Sequence, residues 1–240
     1  MIFPTTHWTL LAAATLNGDT QGRSALEQLC REYHRPVFAV LRARGFAEDE
    51  AADLTQDFFL RLFETQAWKR ADRERGRFRS FLLGTLTHML QHAWAAKSRQ
   101  KRGGGTTAES LDAAQEQGVE IAGATDFQAN AAFDREWALR LIQAAFAKVE
   151  GEFAEAGRVE EFAVLRRFLP GVEAPLRYDE AALLLGKTEG GVKSMIHRLR
   201  DSYRSTLRGL VARTVSAAHE VDDELAYLHT VLSAPQRDGA

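Results

Sequence analysis

Residues 178–208 read YDEAALLLGKTEGGVKSMIHRLRDSYRSTLR. Tyr178–Leu185 has the composition of a short helix, and its Ala181-Ala182 pair permits close approach of a second one. Gly186-Lys187-Thr188 is a compact turn that starts on glycine, with Thr188 positioned to cap the next helix. From there Val192, Ile196, Leu199, Tyr203 and Leu207 fall on one helical face. Lys193, Ser194, His197, Arg198 and Arg200 fall on the others. A short helix, a glycine turn and a basic amphipathic helix form the pattern of a DNA-reading helix-turn-helix. In that arrangement the second helix offers early side chains to base edges and later arginines to phosphates. An αα-hairpin with a solvated basic face has the same pattern.

Working outward, helical periodicity dominates and period-2 alternation is rare, which predicts an all-α chain. A helix is expected over 23–44, with Leu26, Leu29, Cys30, Tyr33, Val37 and Leu41 at spacings of three and four. Pro36 is expected to break or kink it and Gly45 to close it. A second, over 48–64, aligns Ala51, Leu54, Phe58 and Leu62, with acids crowding its first turns. A third, over 77–100, carries a wide apolar stripe including Phe78, Phe81, Leu82, Thr85, Leu86, Met89, Ala93 and Trp94. Three such helices suffice for one small bundle. Gly103-Gly104-Gly105 ends it, and the residues that follow to about 130 lack periodicity and large apolar side chains. The pattern resumes at Phe133 with Trp137, Leu141 and Val149, and again over 159–168, stopping at Pro170-Gly171.

The charge distribution sharpens the functional reading. The 240 residues carry 31 Lys plus Arg against 33 Asp plus Glu, a formal net charge of −2. That total argues against a simple polycation, but it conceals strong segregation. Residues 48–57 hold five acids and no base, and 103–132 hold five more and no base. Residues 69–102 hold ten bases against two acids, and 187–213 hold seven against two. Two basic surfaces in helical segments point to nucleic acid.

Other classes find little support. The single cysteine, Cys30, excludes a disulfide framework and a cysteine-based zinc site. No apolar run reaches membrane-spanning length and no export signal stands at the N-terminus, so a cytoplasmic protein is expected. His88 and His92 share a helix face without an H-E-x-x-H glutamate or an evident third ligand. No Walker loop, dinucleotide fingerprint or nucleophile elbow occurs. No enzymatic activity, catalytic residue, metal or cofactor is expected.

Four stretches, taken in order, carry a resemblance. They are Asp53-Leu54-Thr55-Gln56-Asp57-Phe58-Phe59, Arg79-Ser80-Phe81-Leu82-Leu83, the helix ending in Lys97-Ser98-Arg99, and Gly191-Val192-Lys193-Ser194-Met195-Ile196-His197-Arg198. The set resembles bacterial RNA polymerase sigma factors of the sigma-70 family, extracytoplasmic-function type, over about residues 24–210. The resemblance implies an all-α chain with two small helical domains joined by a flexible acidic linker. Its parts are an N-terminal extension (1–22), a sigma-2-like domain (23–102), the linker (103–132), a sigma-4-like helix-turn-helix domain (133–213) and an acidic helical tail (214–240).

The same resemblance implies roles. Asp53, Gln56 and Asp57 would face core RNA polymerase, where charged pairs supply steering and register. Arg77, Arg79, Lys97, Arg99, Lys101 and Arg102 would contact phosphates at the −10 promoter element. His88 and His92 fall where the family commonly has Asn, a departure that leaves the −10 sequence preference undefined. Lys193, Ser194, His197 and Arg198 match the positions that read the −35 element. Promoter DNA and core polymerase are the expected partners, with an anti-sigma protein or a Ser/Thr kinase as candidate regulators and no membrane. A kinase would act at Thr55, changing the charge of the polymerase-facing helix. The N-terminal Phe3-Pro4-Thr5-Thr6-His7-Trp8 would cap the first domain by burying Trp8. The tail aligns Ala218, Val221, Leu225, Leu228 and Leu232 in heptad-like order and is expected to pack on the second domain. A coiled contact with a partner and autoinhibition of DNA binding are its alternatives. For the whole chain, the alternatives are a stand-alone helix-turn-helix regulator and a helical protein-interaction scaffold.

Overall fold

The structure, a computed structural model, describes residues 20–71, 77–101, 124–171, 176–215 and 217–234; for 20–21, 93–101 and 124–128 it describes only the backbone. Among the described residues every regular element is helical. The eight α-helices are α1 (Thr20–Ala43), α2 (Glu48–Glu64), α3 (Phe78–Lys101), α4 (Ala124–Glu155), α5 (Val159–Leu165), α6 (Tyr178–Leu185), α7 (Glu189–Ala212) and α8 (Val221–Ser233). Short 3-10 turns lie at Ala67–Arg70, Arg166–Phe168 and Ala218–Glu220. The chain divides into two compact units. The first takes residues up to Ala138 and those from Arg213 onward; the second is Leu139–Ala212.

In the first unit α1 packs on α2. Of the break or kink expected at Pro36, the break does not occur: α1 runs through it as one helix. Proline removes one bond of the helical ladder, but Tyr33, Val37, Val40 and Leu41 around it are all buried, and that packing holds the helix together. Gly45 closes α1 at φ +91, a left-handed conformation that favours glycine. Its N–H reaches the Arg42 carbonyl at 2.9 Å, and Phe46 N–H reaches Leu41 at 3.2 Å. In α2, Glu48, Asp49 and Glu50 occupy the first turn, where the helix dipole favours acids. Ala51, Thr55, Phe58, Phe59 and Leu62 form its buried face. Along α3, Phe78, Leu82, Leu86 and Leu90 recur every fourth residue and are buried.

Helix α4 begins nine residues before the point at which the pattern was expected to resume. Residues 124–132 were assigned to the linker but are helical, and Ala129 is wholly buried. The Ala129-Asn130-Ala131-Ala132 run has strong helix propensity but no large apolar side chain to mark a face. Phe133 and Trp137, both buried, fix that segment in the first unit. Residues 103–123, the rest of the linker, and the N-terminal residues around Trp8 lie outside the described residues.

The second unit has its own core of Val149, Phe162, Leu165, Leu169, Ala181, Ala182, Val192, Met195, Ile196 and Leu199. The Phe162 ring meets Phe146 edge-on at 5.4 Å and Phe153 at 5.2 Å. The helix expected over 159–168 is α5 followed by a 3-10 turn. Helix α6 ends at Gly186, whose φ of +60 would strain any residue with a Cβ.

The C-terminal helix corrects another expectation. Helix α8 belongs to the first unit, not the second. Val221 and Leu228 of the heptad-like row are buried, Leu225 and Leu232 are half-buried, and Ala218 is exposed. The pattern therefore marked the inward face correctly. Glu224, in the same face, is fully buried against Arg79 of α3.

Candidate nucleic-acid and polymerase interfaces

In the second unit α6 and α7, joined by the turn at residues 186–188, pack on each other and on α5. Thr188 caps α7 as expected: its Oγ1 accepts the Gly191 N–H at 3.1 Å, and its carbonyl accepts Val192 N–H at 3.0 Å. A Cβ on Gly191 would stand only 3.3 Å from that same Oγ1, so glycine there clears the cap. Val192, Ile196 and Leu199 point inward, with Met195 joining them.

Lys193, Ser194, His197 and Arg198 are all exposed. Positions i, i+1, i+4 and i+5 share one side of a helix, so these four form one polar face. Local contacts hold three of them. Lys193 Nζ lies 5.3 Å from the centre of the exposed Tyr178 ring. Ser194 Oγ donates to the Gly190 carbonyl at 3.0 Å, and His197 Nδ1 is 2.8 Å from Asp201 Oδ2. Arg200 serves differently: its Nε and Nη2 donate to the Phe168 carbonyl at 3.2 and 2.9 Å, tying α7 to the end of the α5 segment.

In the first unit, the predicted polymerase-facing residues lie on the outer side of α2. Asp53 and Gln56 are exposed, Asp57 is half-buried, and together with Leu54 and Leu60 they line an open groove. Leu60 is 54% exposed, a large apolar side chain placed among acids. Asp57 is tied to Arg61 at 3.0 Å one turn later. Thr55 faces the other way. It is wholly buried and its hydroxyl donates to the Ala51 carbonyl at 2.7 Å, so the folded unit offers a kinase no hydroxyl there.

The residues expected at the −10 element separate into three groups. Lys97 and Arg99 fall on a stretch of α3 whose side chains lie outside the described residues, and Arg102 lies outside altogether. His88 is half-buried and His92 exposed, with their Nε2 atoms 3.1 Å apart. One ring must donate to the other, so at least one is neutral. Burial, the neighbouring His92 and Arg70 all push His88 below the usual histidine range.

Arg77 and Arg79 form the third group, and they are not presented as open phosphate contacts. Arg79 is 7% exposed, with Nε 3.2 Å from Asp134 Oδ1 and a two-point pairing to Glu224. Arg77 Nη1 lies 2.6 Å from Glu224 Oε2. Tyr227 completes the cluster: its hydroxyl donates to Asp134 Oδ2, and its ring sits 5.3 Å from the Arg79 guanidinium. Burial works against the Arg79 cation, yet Asp134 and Glu224 more than offset it and hold the group above its ordinary value. Burial likewise pushes the Asp134 carboxyl up, against the pull of Arg79 and the Tyr227 hydrogen bond. The Tyr227 phenol rises to about 12, through burial and then through its bond to Asp134. Nothing in the sequence singled out Asp134, Glu224 or Tyr227, because the signal is pairing between distant residues, 145 apart for Arg79 and Glu224 and 93 for Asp134 and Tyr227.

Residues 29–100 match the Sigma-70 region 2 family model. The matched span holds most of α1, all of α2 and nearly all of α3, and with them the DLTQDFF and RSFLL stretches. It shows a likeness to sigma-70 region 2 over that span, less than a third of the chain. Helices α6, α7 and α8 lie outside the matched span. No curated protein and no solved structure matches the chain. Among the described residues no helix is long and apolar enough to cross a membrane, and no three His, Cys, Asp or Glu side chains gather as a metal site.

Proposed function

We propose that the chain is a sigma factor of the extracytoplasmic-function type. In this reading the region-2-like unit docks core RNA polymerase and engages the −10 element, and the helix-turn-helix unit reads the −35 element. The observation that carries it is the match of residues 29–100 to sigma-70 region 2. Two features add support. Asp53, Gln56 and Asp57 border an open groove beside the exposed Leu60, a mixed acidic and apolar face suited to a basic protein surface. Lys193, Ser194, His197 and Arg198 stand together on the outer face of α7, at the end that enters the major groove in helix-turn-helix proteins. His88 and His92 would meet opened DNA from α3, with Lys97 and Arg99 further along the same helix. An anti-sigma protein is the candidate regulator; the burial of Thr55 speaks against a kinase acting there on the folded chain.

The test is reconstitution with core polymerase and promoter DNA from the source genome. Co-purification with core and promoter-dependent initiation are expected. Sequence-specific DNA binding without any association with core would instead make the chain a stand-alone regulator.

A further inference from the structure

The Arg79 cluster brings together parts that the region 2 match does not join. Arg77 and Arg79 lie within the matched span, at the entry to α3; Asp134 and Glu224 lie beyond it, on α4 and α8. Glu224 is 0% exposed, and both its oxygens are engaged, by Arg79 at Oε1 and Oε2 and by Arg77 at Oε2. A carboxylate and a phosphate offer a guanidinium the same forked pair of acceptor oxygens. These two arginines belong to the basic segment 69–102, where Lys69 and Arg70 are exposed.

We propose that α8 is an intramolecular occupant of a phosphate-binding arginine pair. With Glu224 seated, Arg77 and Arg79 cannot take the backbone of a nucleic acid; when α8 lifts away, they can. The proposal rests on the reading of the first unit as a nucleic-acid binder. The hold of α8 is narrow enough to be reversible. Of its 13 residues only Val221, Glu224 and Leu228 are buried, and a helix of that length is marginal without tertiary contacts. Arg135 adds one further tie, donating to the Leu232 carbonyl at 3.2 Å. The exposed face of α8 carries Asp222 and Asp223, so the docked helix also sets negative charge where a nucleic-acid backbone would approach.

The experiment uses the full chain and a fluorescein-labelled single-stranded DNA oligonucleotide, with anisotropy read over a series of salt concentrations. Glu224→Gln is expected to bind about tenfold more tightly and to steepen the salt dependence by one to two released counterions. Adding Arg77→Gln in that background should remove most of the gain. A Glu224→Gln protein that melts earlier but binds DNA with unchanged affinity and salt slope would make α8 a structural buttress and overturn the proposal. Should that variant fail to fold, amide hydrogen exchange of the wild-type chain decides. Protection of α8 must fall when the oligonucleotide binds, and protection unchanged in the complex refutes the exchange of partners. Promoter-dependent initiation by the wild-type chain with core polymerase is read separately. Its absence sinks the sigma reading, whereas initiation by wild type with no effect of Glu224→Gln on DNA binding sinks only this inference.

Discussion

The rings of Tyr33 and Trp137 lie stacked, 4.8 Å between centroids and 3° from parallel. Tyr33 belongs to α1, within the span that matches sigma-70 region 2, and Trp137 to α4, beyond it. Phe78 meets Tyr33 edge-on at 5.3 Å, and Phe133 stacks at 6.2 Å, so four aromatic side chains from three helices share one site. The start of α4 is therefore part of the first unit's core and not a tether to it.

Removing that stack should be costly. Trp137→Ala deletes a buried aromatic that is 3% exposed, and such truncations typically cost about 3–5 kcal/mol. Urea unfolding followed by circular dichroism measures it. A loss below about 1 kcal/mol would mean that α4 lies on the first unit without being built into it.

Arg79→Ala leaves Glu224 with Arg77 alone and Asp134 with the Tyr227 hydroxyl alone, two buried acids short of a cation. Breaking a buried pair from one side costs about 3–5 kcal/mol, mainly because the remaining charge has no partner. The penalty should shrink in mild acid, where the Asp134 carboxyl, already pushed up by burial, takes up a proton. Thermal melts of wild type and variant at two pH values check both points. Equal destabilisation at neutral and acidic pH contradicts the charge account.

Two arginines on α7 should separate cleanly. Arg198 is exposed and makes no ion pair among the described residues, and Arg198→Ala is expected to weaken −35-dependent initiation with little change in melting temperature. Lys193→Ala should do the same; each lost base contact is typically worth about 1–3 kcal/mol. Arg200→Ala removes the bonds to the Phe168 carbonyl, so it should lower stability first. Initiation assays beside thermal melts distinguish the two classes, and identical behaviour of Arg198 and Arg200 variants would count against the division.

His88 gives a pH signature. Its folded pKa lies below the ordinary value of 6.5, so the native state binds its proton less readily than the unfolded chain. The associated stability is present above pH 6.5 and is lost as pH falls through the folded pKa. Proton NMR of the ring should titrate below 6.5, and His88→Gln should flatten the decline in melting temperature on acidification. A ring titrating at or above 6.5 would be the contrary result.

Much of the fold was legible because amphipathic helices advertise themselves locally. The bounds of α2 and the turn at Gly186-Lys187-Thr188 follow from residues within a few positions of each other: acids at a helix start, glycine at a left-handed end, threonine at a cap. The exposed face of Lys193, Ser194, His197 and Arg198 follows from period alone. Misreadings arose where local signal was weak or partner choice was distant. The first turns of α4 carry a single large apolar residue, Phe127, before Phe133, too few to mark a face by period. Thr55 sits among charged residues in sequence but is rotated inward with Ala51 and Phe58.

What the sequence by itself determined was the all-helical class, the segregated charge, the turn that joins α6 to α7 and the motifs that lie within the sigma-70 region 2 match. All of these are encoded within windows of a few tens of residues. Only the tertiary structure decided that α8 joins the first unit and that Arg77 and Arg79, read as free cations, are neutralised by Glu224 and Asp134. The physical reason is separation. An ion pair between residues 145 apart leaves no periodicity, spacing or composition in either segment, and its strength comes from a burial that exists only once the helices have packed.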